Sequence, residues 1–167
     1  MAEFSGTPTG EGRRIAVVAS RFNEEITSKL LNGAVECLLK HGARLEDVDV
    51  VTVPGAWELP AAAERLLSSG RYDAIVAVGA VIRGETPHFD YVAGESARGL
   101  AELQREFGVP VGFGVITTDT DAQAEARAGG AHGNKGWDAA LAALEMADLY
   151  ARLERAAEVD GEPDAAH

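Results

Sequence analysis

The apolar positions of this chain follow two periods. Four short runs, "RRIAVVAS" (13–20), "VDVVTV" (48–53), "YDAIVAVGAVI" (72–82) and "VPVGFGVIT" (109–117), are dense in Val and Ile and read as buried strands. Between them the apolar residues spread to helical spacing. In 23–42 they are Ile26, Leu30, Ala34, Cys37 and Leu38, and Gly42 supplies a stop. Residues 56–70 read as a helix that tolerates Pro60 in its first turn. Residues 87–108 form a helix closed by Gly108, 120–130 a short helix ending in a glycine pair, and 134–154 a long one. Residues 1–12, rich in Gly, Thr, Pro and Ser, are expected to be a flexible arm. The folded domain is expected over 13–154, followed by a disordered acidic tail over 155–167.

Strands that alternate with helices and are apolar on both faces predict a parallel sheet covered on both sides. Ligands of such sheets bind beyond the carboxyl ends of the strands. Those ends are "SRFN" (20–23), "VPGAWE" (53–58), "GAVIRGETPH" (79–88) and "FGVITTDT" (113–120). The last helix carries a second message. Its polar residues Asp138, Glu145, Asp148, Arg152 and Arg155 fall on a narrow stripe, and the apolar arc opposite is wider than one sheet face needs. That surplus predicts cover by another subunit.

Length and composition narrow the picture. The 167 residues fit one domain, and 46% hydrophobic residues are enough for a core. A net charge of -12 argues against a nucleic-acid partner or an anionic membrane surface, since both need a positive footprint. A small anionic substrate needs only a local cation and stays open. The single cysteine, Cys37, excludes an intrachain disulfide and reads as a small buried hydrophobe. No apolar run is long enough to span a bilayer, and the opening stretch lacks the apolar segment of a secretory signal, so a cytoplasmic location is expected.

The candidate chemistry lies at the end of the third strand, in "GAVIRGETPHFDYV" (79–92). Pro is favoured at a first helical position and Thr is a good N-cap, so Thr86-Pro87 predicts a helix start facing the sheet edge. Free amides and the positive helix end there would suit a phosphate. The Glu85 carboxylate would have to turn away from it. His88, in the first turn, is either a neutral proton shuttle or a capping histidine. Phe22 and Phe113, at or near strand ends, either pack or stack on a planar heterocycle. Glu58 either pairs with ring N–H groups or caps its own helix. Arg127 and Lys135, flanking "AGGAHGN", either supply a cation or are solvated. "GGAHGNKG" does not fit the G-x-x-x-x-G-K-[ST] phosphate loop, no G-x-G-x-x-G follows the first strand, and no Cys/His cluster suggests a metal. The first strand ends in Ser20-Arg21-Phe22 and the third in Ile82-Arg83, without the acidic residues of a receiver domain, and the bulky "SRFNEE" does not fit a flavodoxin phosphate loop.

Taken in order, "SRFN", "VPGAWELP", "GAVIRGETPHFDYV", "GFGVITTDT" and "ARAGG…GNKG" resemble the 6,7-dimethyl-8-ribityllumazine synthase family over about residues 13 to 150. The resemblance implies a flavodoxin-like three-layer α/β/α sandwich with a four-stranded parallel sheet, and an N-terminal arm that pairs with a neighbour. It implies the penultimate step of riboflavin synthesis without cofactor or metal. There, 5-amino-6-(D-ribitylamino)uracil and 3,4-dihydroxy-2-butanone 4-phosphate give the lumazine, phosphate and water. It assigns Phe22 to stacking on the pyrimidine, and Ala56, Trp57 and Glu58 to the ribityl chain and ring. Ala80, Val81 and Ile82 go to the ring, Glu85 and Thr86 to the phosphate with Arg127 opposite, and His88 to proton transfer. Phe113, Arg127 and Lys135 would come from the adjacent subunit. Glu85 departs from the small residue often found there.

The resemblance further implies a homopentamer. The short turn between Arg127 and Lys135 fits members that build a 60-subunit icosahedral shell, and association with riboflavin synthase is compatible with it. Two other classes are an inactive flavin- or lumazine-binding module and a shell protein with a decayed site. A pure binder would not need both His88 and Arg127, and the site motifs look whole.

Overall fold

The computed structural model describes residues 1–161. Four parallel strands, β1 (Ile15–Ser20), β2 (Val48–Val53), β3 (Ala74–Ile82) and β4 (Val111–Thr118), form one sheet in the order β2-β1-β3-β4. This is the α/β fold the alternation predicts. The chain steps from β1 outward to β2, returns to β3 and continues to β4. The direction of travel therefore reverses between β1 and β3, and a crevice opens there at the carboxyl ends.

Alternate residues of β1 show why the sheet is buried on both faces. Ile15, Val17 and Ala19 join a core with α1 (Glu24–Lys40) and α5 (Lys135–Gly161). Ala16 and Val18 join a second core with α2 (Leu59–Ser68) and α3 (His88–Phe107). β2 is an edge strand and departs from the expected double burial, with Val50 and Thr52 exposed. α4 (Asp121–Arg127) begins on a capping box, in which the Thr120 hydroxyl accepts from the Gln123 amide and the Gln123 side chain accepts from the Thr120 amide. The expected glycine pair after it lies in a small hairpin instead, β5 (Ala128–Gly130) against β6 (Gly133–Asn134).

Asn134 then caps α5, its side-chain oxygen accepting from the Gly136 and Trp137 amides at 2.9 and 3.1 Å while its amide donates to the Lys29 carbonyl. A side chain at Gly136 would collide with the Leu30 carbonyl of α1, so glycine is required for α5 to seat there. α5 packs against α1, β3 and β4 with Ala139, Ala140, Ala143, Leu144 and Ala147 buried. Its own chain thus covers more of the apolar arc than expected. Met146 and Leu153 stay exposed.

The polar stripe is corrected too, because Asp148 is buried. Its carboxylate accepts from the Thr7 amide at 2.8 Å, from Arg13 at 3.1 Å and from Arg152 at 2.8 Å. Residues 1–12 have no regular secondary structure, yet the arm is fastened at Thr7 and again at Gly10, whose amide donates to the His41 carbonyl. α5 continues to Gly161, so the expected disorder over 155–161 is replaced by helix; residues 162–167 lie outside the described residues. Among the described residues, no helix is long and apolar enough to cross a membrane.

Candidate active site

The crevice between the strand ends holds a cavity of about 910 Å³ on the α2–α3 side of the sheet. The turn after β1 contributes Phe22 to its wall. The Arg21 and Phe22 amides donate to the Val53 and Pro54 carbonyls at 2.9 and 3.0 Å, which continues the pairing of β1 with β2 past both strands. Asn23 then takes a left-handed conformation (φ 63) and turns the chain into α1. Asn adopts this region more readily than most residues. The Phe22 ring is left 69% exposed, an aromatic face offered to the cavity rather than to the core.

After β2 the chain makes a single 3-10 turn over Ala56–Glu58. It brings Ala56, Trp57 and Glu58 to the wall, with Ala56 buried and Trp57 57% exposed. The Glu58 carboxylate accepts from the Gly55 amide at 3.0 Å, so the capping role foreseen for it is present. β3 supplies Ala80, Val81 and Ile82 from the floor upward.

Beyond β3, Gly84, Thr86 and His88 reach the wall, and Glu85 between them does not. The predicted cap is shifted by one residue. Pro87 (φ -69, ψ 3), not Thr86, holds the N-cap position, and α3 begins at His88. Proline fixes φ but not ψ, and a ψ outside the helical range delays the helix. No side chain caps this helix end, and His88 is its first residue.

Nine of the thirteen residues singled out from the sequence therefore meet at one cavity: Phe22, Ala56, Trp57, Glu58, Ala80, Val81, Ile82, Thr86 and His88. Phe113, Arg127 and Lys135 lie away from it. Phe113 sits on edge strand β4, 49% exposed between buried Val111 and Val115 on the same strand face. Arg127 ends α4 and donates to the Gln123 carbonyl at 3.0 Å, while Lys135 opens α5 and pairs with Asp138 at 3.4 Å.

Pro54, Gly55, Gly84, Phe89, Tyr91 and Val92 also line the cavity and had not been singled out. Helical spacing from His88 signals Tyr91 and Val92, since residues three and four apart share a face. Phe89 carries the Arg83 guanidinium at 4.3 Å from its ring centre, and Arg83 in turn pairs with Asp119 at 2.8 Å and Asp90 at 3.6 Å. The arrangement suits a planar ring between an aromatic and an apolar floor, with a polar loop and an imidazole at one end.

Comparison with known proteins identifies the family. The family model for 6,7-dimethyl-8-ribityllumazine synthase matches residues 12–151. A protein of Gemmatimonas aurantiaca described as 6,7-dimethyl-8-ribityllumazine synthase is 66% identical over 160 residues, covering 96% of this chain and 98% of its own. One of the same description from Aquifex aeolicus is 52% identical over 153 residues, covering 92% and 99%. With a match across the folded domain and relatives aligned almost end to end, this chain belongs to the 6,7-dimethyl-8-ribityllumazine synthase family.

Proposed function

We propose that the cavity at the ends of β1, β2 and β3 is where 5-amino-6-(D-ribitylamino)uracil condenses with 3,4-dihydroxy-2-butanone 4-phosphate. Lumazine synthase activity in riboflavin biosynthesis follows from the family relationship. The observation that carries the placement is the convergence of nine sequence-selected residues on one cavity of about 910 Å³.

In this assignment Phe22 stacks on the pyrimidine, Ala80, Val81 and Ile82 flank the ring, and Ala56, Trp57 and Glu58 meet the ribityl chain. The loop with Glu85 and Thr86 takes the phosphate, where an uncapped helix start favours an anion. The amine attacks the ketone and an imine forms with loss of one water, phosphate departs by elimination, and the ring closes on the carbonyl so formed with loss of a second water. Each step moves a proton, and His88 at the cavity wall serves several of them. Both reactants are intrinsically reactive, so holding them together accounts for much of the acceleration, worth up to roughly 7–11 kcal/mol in favourable cases.

Arg127, Lys135 and Phe113 complete the site from an adjacent copy. Their distance from the cavity of their own chain, and the exposure of Phe113, support that division. The proposed assembly is a homopentamer, with a 60-subunit shell compatible with the short β5–β6 turn. The proposed compartment is the cytoplasm. The test is to mix the purified protein with both substrates and follow lumazine absorbance and fluorescence. Variants at Phe22 and Thr86 should raise the KM of the pyrimidine and of the butanone phosphate respectively. If neither KM moves, the substrates bind elsewhere.

A further inference from the structure

Gly84, Glu85 and Thr86 are exposed and have little packing to hold them. Their position must be set at the two ends of the loop. At the first end, the Arg83 amide donates to the Thr118 carbonyl at 2.8 Å and prolongs the β3–β4 ladder by one bond. The Arg83 side chain then turns back over the loop. Nε donates to Asp119 at 2.8 Å, just past the end of β4. Nη1 pairs at 3.6 Å with Asp90 in the first turn of α3. The guanidinium carbon lies 4.3 Å from the centre of the Phe89 ring, and Phe89 lines the cavity. One side chain thus joins the end of β3, the end of β4 and the start of α3. Both ion pairs are largely exposed, at 46% for Arg83 against 62% and 66% for the carboxylates, so they add little to global stability. Their geometric effect is larger, because a planar fork fixes direction as well as distance.

We propose that Arg83 is a positioning residue, a strut that holds the 84–86 loop and Phe89 in place for the phosphate-bearing substrate without touching that substrate itself. The inference rests on the assignment of the loop to the phosphate. It does not require Arg83 to bind the anion, since Nε and Nη1 already face Asp119 and Asp90.

The test is steady-state kinetics of Arg83→Gln, Arg83→Lys and Asp119→Asn, with inorganic phosphate as a competing ligand. Arg83→Gln should raise the KM of the butanone phosphate and the inhibition constant of phosphate about tenfold, because the loop must now be ordered on binding. The KM of the pyrimidine should stay within about twofold, and the melting temperature within about 4 °C. Arg83→Lys should be intermediate, keeping a charge but losing the planar fork. Asp119→Asn should share the phosphate defect and add little when combined with Arg83→Gln. If phosphate competes equally well in the parent and Arg83→Gln, the role of Arg83 is refuted and the loop assignment stands. If phosphate does not compete in the parent at all, the loop assignment falls and the strut with it. Parallel rises in both KM values with a large fall in melting temperature would make Arg83 merely structural.

Discussion

His88 and Glu58 stand on the same cavity wall, but the Glu58 carboxylate already accepts from the Gly55 amide. In the proposed site His88 is the group for proton traffic, and holding the two reactants together supplies most of the acceleration. His88→Ala should therefore lower turnover by about 10²-fold and leave measurable activity, with substrate binding intact. Stopped-flow fluorescence of product formation checks it. Complete loss in a folded, substrate-binding variant would refute the dominance of proximity. At this scale the sequence was informative at the strand ends: Phe22, Ala56–Glu58, Ala80–Ile82, Thr86 and His88 line one cavity. It was silent on Arg83, whose partner Asp119 lies 36 positions away and enters only through the pairing of β3 with β4.

Helices and strands were legible from periodicity, but what crosses a helix face was not. Asp148 sits in the polar stripe of α5 by spacing, yet the N-terminal arm returns over it, bringing Arg13 and Thr7 from 135 and 141 positions away. The Thr7 amide foremost, with Arg152 and Arg13, holds the Asp148 carboxyl below its usual value of 3.8 against the opposing effect of burial. A group lowered on folding contributes stability above its unfolded value and loses that contribution as pH falls through the folded one. The parent should thus unfold at higher urea than Asp148→Asn near neutral pH, with the gap closing below 3.8. A gap of the same size in urea titrations at about pH 7 and about pH 3 would contradict this. The "GNKG" motif changes meaning at this scale as well. Asn134 is a helix cap and Gly136 a point of close helix approach, so two of its four residues seat α5 on α1.

For the whole molecule, the order β2-β1-β3-β4 places one half of the proposed site at the sheet crevice and leaves Phe113, Arg127 and Lys135 outside it. Hydrophobic patterning did not reveal this division, because the apolar arc on α5 that was read as cover for another subunit is largely filled by its own domain. If sites are shared, Phe22→Ala and Arg127→Ala proteins should each be impaired. Dissociating and reassembling them together at equal amounts should restore about a quarter of the sites, those formed between two intact halves. Activity measured before and after mixing checks it, with light scattering to confirm reassembly. No gain from a confirmed mixed assembly would mean that each chain carries a full site.

The sheet ends on one side in β2 and on the other in β4, each with a row of backbone donors and acceptors, and β4 adds an uncovered Phe113. Such margins recruit any extended peptide that drifts near. In the proposed assembly, a freshly translated chain would be most open to stray pairing before it meets other copies. Rapid encounter between copies would shorten that exposure.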